Sequence, residues 1–191
     1  MSRAYKFRNV FRVNEDASGG KNLFTRMPLP TEELDALNSI LCSTSVRFGK
    51  VTRAFGEESD VYVDCKLTTC SRRAIPLIGR AFLRKMAERN WRPEAVGGLT
   101  FGADPIAMAI ARESLNAGYL INTFIVRKEP KKHGMQRFIE GLDATSGKQV
   151  VVIDDVCTRG GSTAQAHRES TRCRNAGPGR YLPGGSKNGC Y

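Results

Sequence analysis

Residues 149–163 read QVVVIDDVCTRGGST. The apolar run Val150 to Ile153 ends in two adjacent acids, Asp154 and Asp155, and a short turn rich in glycine and hydroxyls follows. A helix is expected to start at Ser162 or Thr163. A strand apolar on both faces belongs inside a parallel sheet that helices cover above and below. Strand, turn and helix in this order aim backbone N–H groups and the positive end of a helix dipole at one point. That is an anion cradle suited to a phosphate monoester. The neighbouring acids can hold ribose hydroxyls, directly or through a magnesium ion, which prefers oxygen ligands. An acid pair alone is most often just a polar strand end; the complete run carries the assignment.

Other segments alternate in the same way. Thr31 can cap a helix with Glu32 and Glu33 in its first turn and a stripe of Leu34, Leu37, Ile40 and Leu41. Residues 61–65 (VYVDC) alternate like a strand, and 74–90 give a helix with Ile78, Ala81, Phe82 and Met86 on one side. The strand 95–99 (AVGGL) runs into TFGAD, where Asp104 is expected to cap a helix with Pro105 at its first position and Gly118 at its end. Strand 121–126 (INTFIV) precedes the charged loop RKEPKKHGMQRF. The pattern predicts an α/β fold, a parallel sheet flanked by helices. Ligands of such sheets bind beyond the carboxyl ends of the strands. The loops at 97–104, 127–140 and 154–163 should therefore converge on one site. Neither an internal repeat nor a low-complexity tract interrupts the pattern.

Several classes fall away. The chain has 191 residues, 40% of them apolar and 26% charged, which suits one globular domain. It holds no G-x-x-x-x-G-K-[ST] element, and its Gly-rich turn does not follow the first strand of a βαβ unit, so neither a triphosphate P-loop nor a dinucleotide fold is indicated. Net charge is +11, but residues 1–26 and 167–191 contribute +4 each, leaving +3 on the 140 residues between. The basic excess thus sits in two irregular ends rather than on a folded face, so no nucleic-acid partner is expected. No apolar run approaches the roughly 20 residues of a membrane span, and no secretory signal follows the basic N-terminus. Six scattered cysteines without a C-x-x-C pair fit a reducing, cytoplasmic setting.

The run at 150–163 resembles the phosphoribosyl-pyrophosphate (PRPP) motif of type I phosphoribosyltransferases. That resemblance implies that Asp154 and Asp155 contact the ribose hydroxyls, with magnesium (Mg2+) held only indirectly, through ribose or water. It implies that Thr158, Arg159, Gly160, Gly161, Ser162 and Thr163 wrap the 5-phosphate. Gly97-Gly98-Leu99-Thr100 resembles the pyrophosphate loop in a form frequent among orotate phosphoribosyltransferases, and glycines there let a backbone approach an anion. Arg127-Lys128-Glu129-Pro130-Lys131-Lys132-His133-Gly134 is similar to that family's flexible catalytic loop, R-K-x-x-K-x-H-G, and Glu140-Gly141 to its closing I-E-G pattern. By itself a charge run would be a solvated surface. By the resemblance Lys131 and Arg127 act on the departing pyrophosphate, with Lys128 and His133 in support, partly from the neighbouring subunit of a homodimer. Val46 to Lys66 resembles the N-terminal hood: Ser59, Tyr62 and Asp64 match, whereas Phe55 stands where serine is common. The implied substrates are PRPP and orotate. A purine-base phosphoribosyltransferase and a non-catalytic PRPP-binding product are the rivals.

The organisation expected is a loose arm at 1–26, the phosphoribosyltransferase domain at 27–166, and an irregular tail at 167–191. Family members follow the PRPP helix with a strand and an L-V-D-R segment that holds the orotate carboxylate. HRESTRCRNAGPGRYLPGGSKNGCY has neither. Back-translated and read one nucleotide later, it is compatible with IESLRDAEMPVLGAICLVDR. The tail therefore reads as frame-shifted and the C-terminal sheet edge as incomplete; the alternative is a natural, divergent Gly/Pro/Arg-rich tail.

Overall fold

The computed structural model describes residues 31–52, 58–129, 138–142, 149–156 and 164–170. Helix α1 (Thr31–Thr44) leads into an antiparallel hairpin of β1 (Val46–Thr52) and β2 (Glu58–Val63). The strand expected at 61–65 is thus shifted. Asp64 and Cys65 leave it to open the single turn α2 (Lys66–Thr69), whose first free N–H, that of Lys66, is taken by Asp64 Oδ1 at 3.2 Å.

Helix α3 (Ile75–Glu88) buries Ile78, Phe82, Leu83 and Met86 along one face, while Ala81 is only half-buried. Each such large side chain contributes about 1.5–3 kcal/mol on burial. The helix ends at Asn90, which takes the left-handed region at φ 57°. Trp91 N–H then reaches back to Met86 O at 2.9 Å and Asn90 N–H to Ala87 O at 3.0 Å, so the last carbonyls are satisfied and the indole enters the core. Helix α4 (Asp104–Asn116) closes the same way at Gly118, φ 70°, as its position in the sequence predicts. Its start differs from expectation. Ala103 holds the cap position and Asp104 is already helical, so Pro105 lies one place deeper.

Strands β3 (Ala95–Leu99), β4 (Asn122–Val126), β5 (Ile139–Glu140) and β6 (Val150–Val152) form one sheet in the order β5-β4-β3-β6. β3 is parallel to both β4 and β6, as expected, and Ile153 N–H extends the β6 pairing to Gly97 O at 2.8 Å. The short edge strand β5 is antiparallel to β4, so the sheet is mixed rather than purely parallel. Twelve residues separate β4 from β5, the low end of what a parallel crossover needs, whereas an antiparallel return needs far fewer.

Side-chain alternation sorts the sheet into two faces. Val96, Val151 and Ile153 pack with Phe82, Met86, Ile106 and Ile110 of α3 and α4. Ala95, Leu99, Phe124, Val126, Val152 and Ile139 pack on the other side with Ala166. Ala166 belongs to a helix at 164–170, α5, which continues four residues beyond the point where the sequence pattern fades.

Candidate active site

The parallel strands deliver three chain segments to one end of the sheet. β6 runs on into Ile153, which is buried, and then Asp154 and Asp155, which are half-buried. Asp155 Oδ1 accepts the Val156 N–H at 3.0 Å, and Asp154 Oδ1 accepts the Asp155 N–H at 3.1 Å. Both acids face the turn after β3. A β-carbon on Gly102 would fall 3.2 Å from Asp154 Oδ1 and within 3 Å of the Asp155 carboxylate. The second loop is thus folded directly against the acid pair, as the convergence of loops predicts.

Within that turn Thr100 N–H is held by Val126 O at 2.9 Å, and its hydroxyl donates to Asp104 Oδ2 at 2.6 Å. Asp104 Oδ1 is buried without a hydrogen-bond partner among the described residues. Gly97, Gly98 and Leu99 are strand residues rather than loop residues. Protein approaches both glycines closely: β-carbons there would collide with Phe124 and with the Ile153 carbonyl. Their reason for being glycine is sheet and helix packing, and Leu99 belongs to the core.

A cation from the hood closes the site on its third side. Lys66 Nζ lies 3.6 Å from Asp155 Oδ2 and 4.0 Å from Asp64 Oδ1; the Asp155 side chain is 11% exposed and that of Lys66 56%. Cys65, buried beside them, has its thiol pushed up to about 11, first by burial and then by the charges of Asp155 and Asp64. It is a protonated packing residue, not a nucleophile.

Arg127 follows β4 at the mouth of the third loop. Its N–H bonds Phe138 O at 2.8 Å, and its guanidinium lies 3.7 Å from Glu140 Oε1, so the two ends of the loop are tied together. Arg127 Nε is buried with no hydrogen-bond partner among the described residues. Lys128 is exposed, and its carbonyl accepts from Gln165 of α5 at 3.4 Å. Lys131 and His133, and the residues expected to wrap the 5-phosphate, Thr158, Arg159, Gly160, Gly161, Ser162 and Thr163, lie outside the described residues.

Two members of the site escape sequence reasoning. Gly102 looks like one more glycine in a Gly-rich turn, and the proximity that matters is to a residue 53 positions away. Lys66 looks like a solvent lysine on a polar turn.

No family model matches the chain. An orotate phosphoribosyltransferase of Corynebacterium glutamicum is 46% identical over 130 residues, 68% of this chain and 67% of that protein. One from Mycobacterium avium is 43% identical over 136 residues, covering 71% and 73%. The chain belongs to the orotate phosphoribosyltransferase family. Among solved structures, the Mycobacterium tuberculosis orotate phosphoribosyltransferase with Fe(III) dicitrate superposes with a TM-score of 0.63 at 40% identity over 73% of this chain and 76% of that one. The same enzyme with PRPP gives 0.58 at 34% identity over 73% and 74%. The resemblance read from the three loops and the α/β fold with its flanked sheet are therefore correct.

Proposed function

We propose that the chain transfers the phosphoribosyl group of PRPP to orotate, giving orotidine 5′-monophosphate and pyrophosphate in pyrimidine biosynthesis. The observation that carries this reading is the seating of the Gly102 turn against Asp154 and Asp155, in a family whose Mycobacterium tuberculosis member is solved with PRPP. A ring nitrogen of orotate, giving up its N–H proton to solvent, bonds to the anomeric carbon as the carbon–oxygen bond to pyrophosphate breaks, and pyrophosphate leaves with the electron pair. Asp154 and Asp155 receive the ribose hydroxyls. Thr158 to Thr163 hold the 5-phosphate, and the end of β3 from Gly97 through Thr100 backs the pyrophosphate. Arg127 and Lys131, assisted by Lys128 and His133, meet the charge that develops on the leaving group, which is where preorganised cations accelerate most. Arg127 Nε, buried and without a hydrogen-bond partner among the described residues, is a donor the leaving group can use.

Magnesium suits this donor set. No group of three or more acidic, histidine or cysteine side chains forms a cage among the described residues. Two half-buried carboxylates that would reach the ion only through ribose hydroxyls or water suit one that keeps several waters and takes its other oxygens from substrate phosphates. Bound there, it would neutralise pyrophosphate charge. We assign the assembly as a homodimer whose 127–134 loop serves the neighbouring site, and the cytoplasm as its compartment. No described helix is long and apolar enough to cross a membrane.

From His167 onward we assign a frame-shifted tail following a phosphoribosyltransferase domain at 27–166. Without the strand and arginine expected there, orotate turnover should be weak while PRPP binding persists. Two measurements test the reading. Orotate consumption with PRPP and magnesium, run beside adenine, guanine and hypoxanthine, should give orotidylate alone; transfer to a purine would overturn the base assignment. Coding DNA for 167–186 that cannot yield the shifted sequence, or full orotate turnover by the chain as it stands, would overturn the tail assignment.

A further inference from the structure

We propose that Lys66 is a positioning residue for PRPP: its ammonium, 3.6 Å from Asp155 Oδ2 and 4.0 Å from Asp64 Oδ1, fixes the Asp155 carboxylate for the ribose hydroxyls and couples the hood to the end of β6. The inference rests on the proposed use of PRPP.

Asp155 has two oxygens with different environments. Oδ1 is committed to the Val156 N–H. Oδ2 faces Lys66, the one cation within 4 Å of it among the described residues. At 11% exposure this carboxylate has lost most of its water, and an uncompensated charge there would turn away or draw water into the turn. Gly102, against the same carboxylate, leaves it little room to turn. Lys66 reaches the acid from a different part of the chain, and its own placement is fixed: Asp64 Oδ1 holds the Lys66 N–H, while Asp64 N–H is held by Ser45 O at 2.9 Å. At 56% exposure the ammonium keeps contact with water, so it can orient the acid without the desolvation cost of a buried pair.

The test is calorimetric titration of the full chain with PRPP and magnesium, and separately with ribose 5-phosphate and with inorganic pyrophosphate. Lys66→Met and Lys66→Gln should weaken PRPP and ribose 5-phosphate about tenfold and leave pyrophosphate unchanged, since Asp155 meets only the ribose. Lys66→Arg should stay within about threefold of wild type. In an Asp155→Asn background Lys66→Met should add nothing further. Wild-type PRPP affinity in Lys66→Met, equal losses for pyrophosphate and ribose 5-phosphate, or additive losses with Asp155→Asn would each overturn the inference. A wild-type chain that fails to bind PRPP would instead remove the functional reading, and this inference with it.

Discussion

The α-carbon of Gly102 faces the carboxylate of Asp155 so closely that a β-carbon built there would stand 2.9 Å from Asp155 Cγ. The acid is confined, with the turn on one side and Lys66 on another. Gly102→Ala should therefore displace Asp155 without disturbing the core. We expect PRPP affinity to fall about tenfold or more, while the unfolding midpoint in urea changes little. Calorimetry and a denaturation curve on the same preparation check both halves.

Gly97 and Gly98 answer to a different constraint. Added β-carbons would meet Phe124 and the Ile153 carbonyl in the middle of the sheet, where neither neighbour can yield. Gly97→Ala or Gly98→Ala should destabilise the fold by about 3 kcal/mol, at the upper end of overpacking costs. Urea unfolding of each variant reads this directly, and a loss no larger than that of Gly102→Ala would contradict the packing account.

Cys65 gives the fold a pH signature. Its thiol is raised from 9.0 to about 11 in the folded state, so the folded chain keeps a proton that the unfolded chain releases between those values. Stability from this group is complete below pH 9 and lost as pH rises toward 11, on the order of 2 kcal/mol. Tyr119, raised by burial, slopes the same way at high pH. The comparison is therefore with Cys65→Ala, whose denaturation midpoint should fall less steeply over this window. At pH 8, iodoacetamide should modify the exposed Cys42 and Cys70 well before Cys65, as peptide mass spectrometry would show.

The catalytic loop is expected to act on the leaving group. Lys131→Ala should lower kcat far more than it raises KM for orotate, because its contact strengthens as charge builds on pyrophosphate. Mixed dimers of Lys131→Ala and Asp155→Asn chains should recover part of the activity that neither homodimer has. No recovery in verified mixed dimers would rule out a loop shared across subunits.

Much of this architecture is legible in the residues because each strand carries its own punctuation. AVGGL follows Glu94, NTFIV runs into Arg127, VVV with Ile153 runs into the acid pair, and Gly118 closes α4 where a left-handed residue is required. The antiparallel β5 is not legible, since two residues carry no period of their own. Asp104 looked like a cap because its type is right, yet the hydroxyl of Thr100 takes the carboxylate instead. At the site, Asp154 and Asp155 announce themselves by type and order. Gly102 and Lys66 do not, because their meaning lies in distances to Asp155 across 53 and 89 positions of chain.

The central claim is that the end of β6 and the turn after β3 together form a PRPP site. Titration of the purified full chain with PRPP in magnesium tests it most directly, because the residues assigned to PRPP all precede the tail. The account predicts one saturable site per chain, weakened at least tenfold by Asp155→Asn with the fold intact. No saturable binding, or binding that Asp155→Asn leaves untouched, would contradict it.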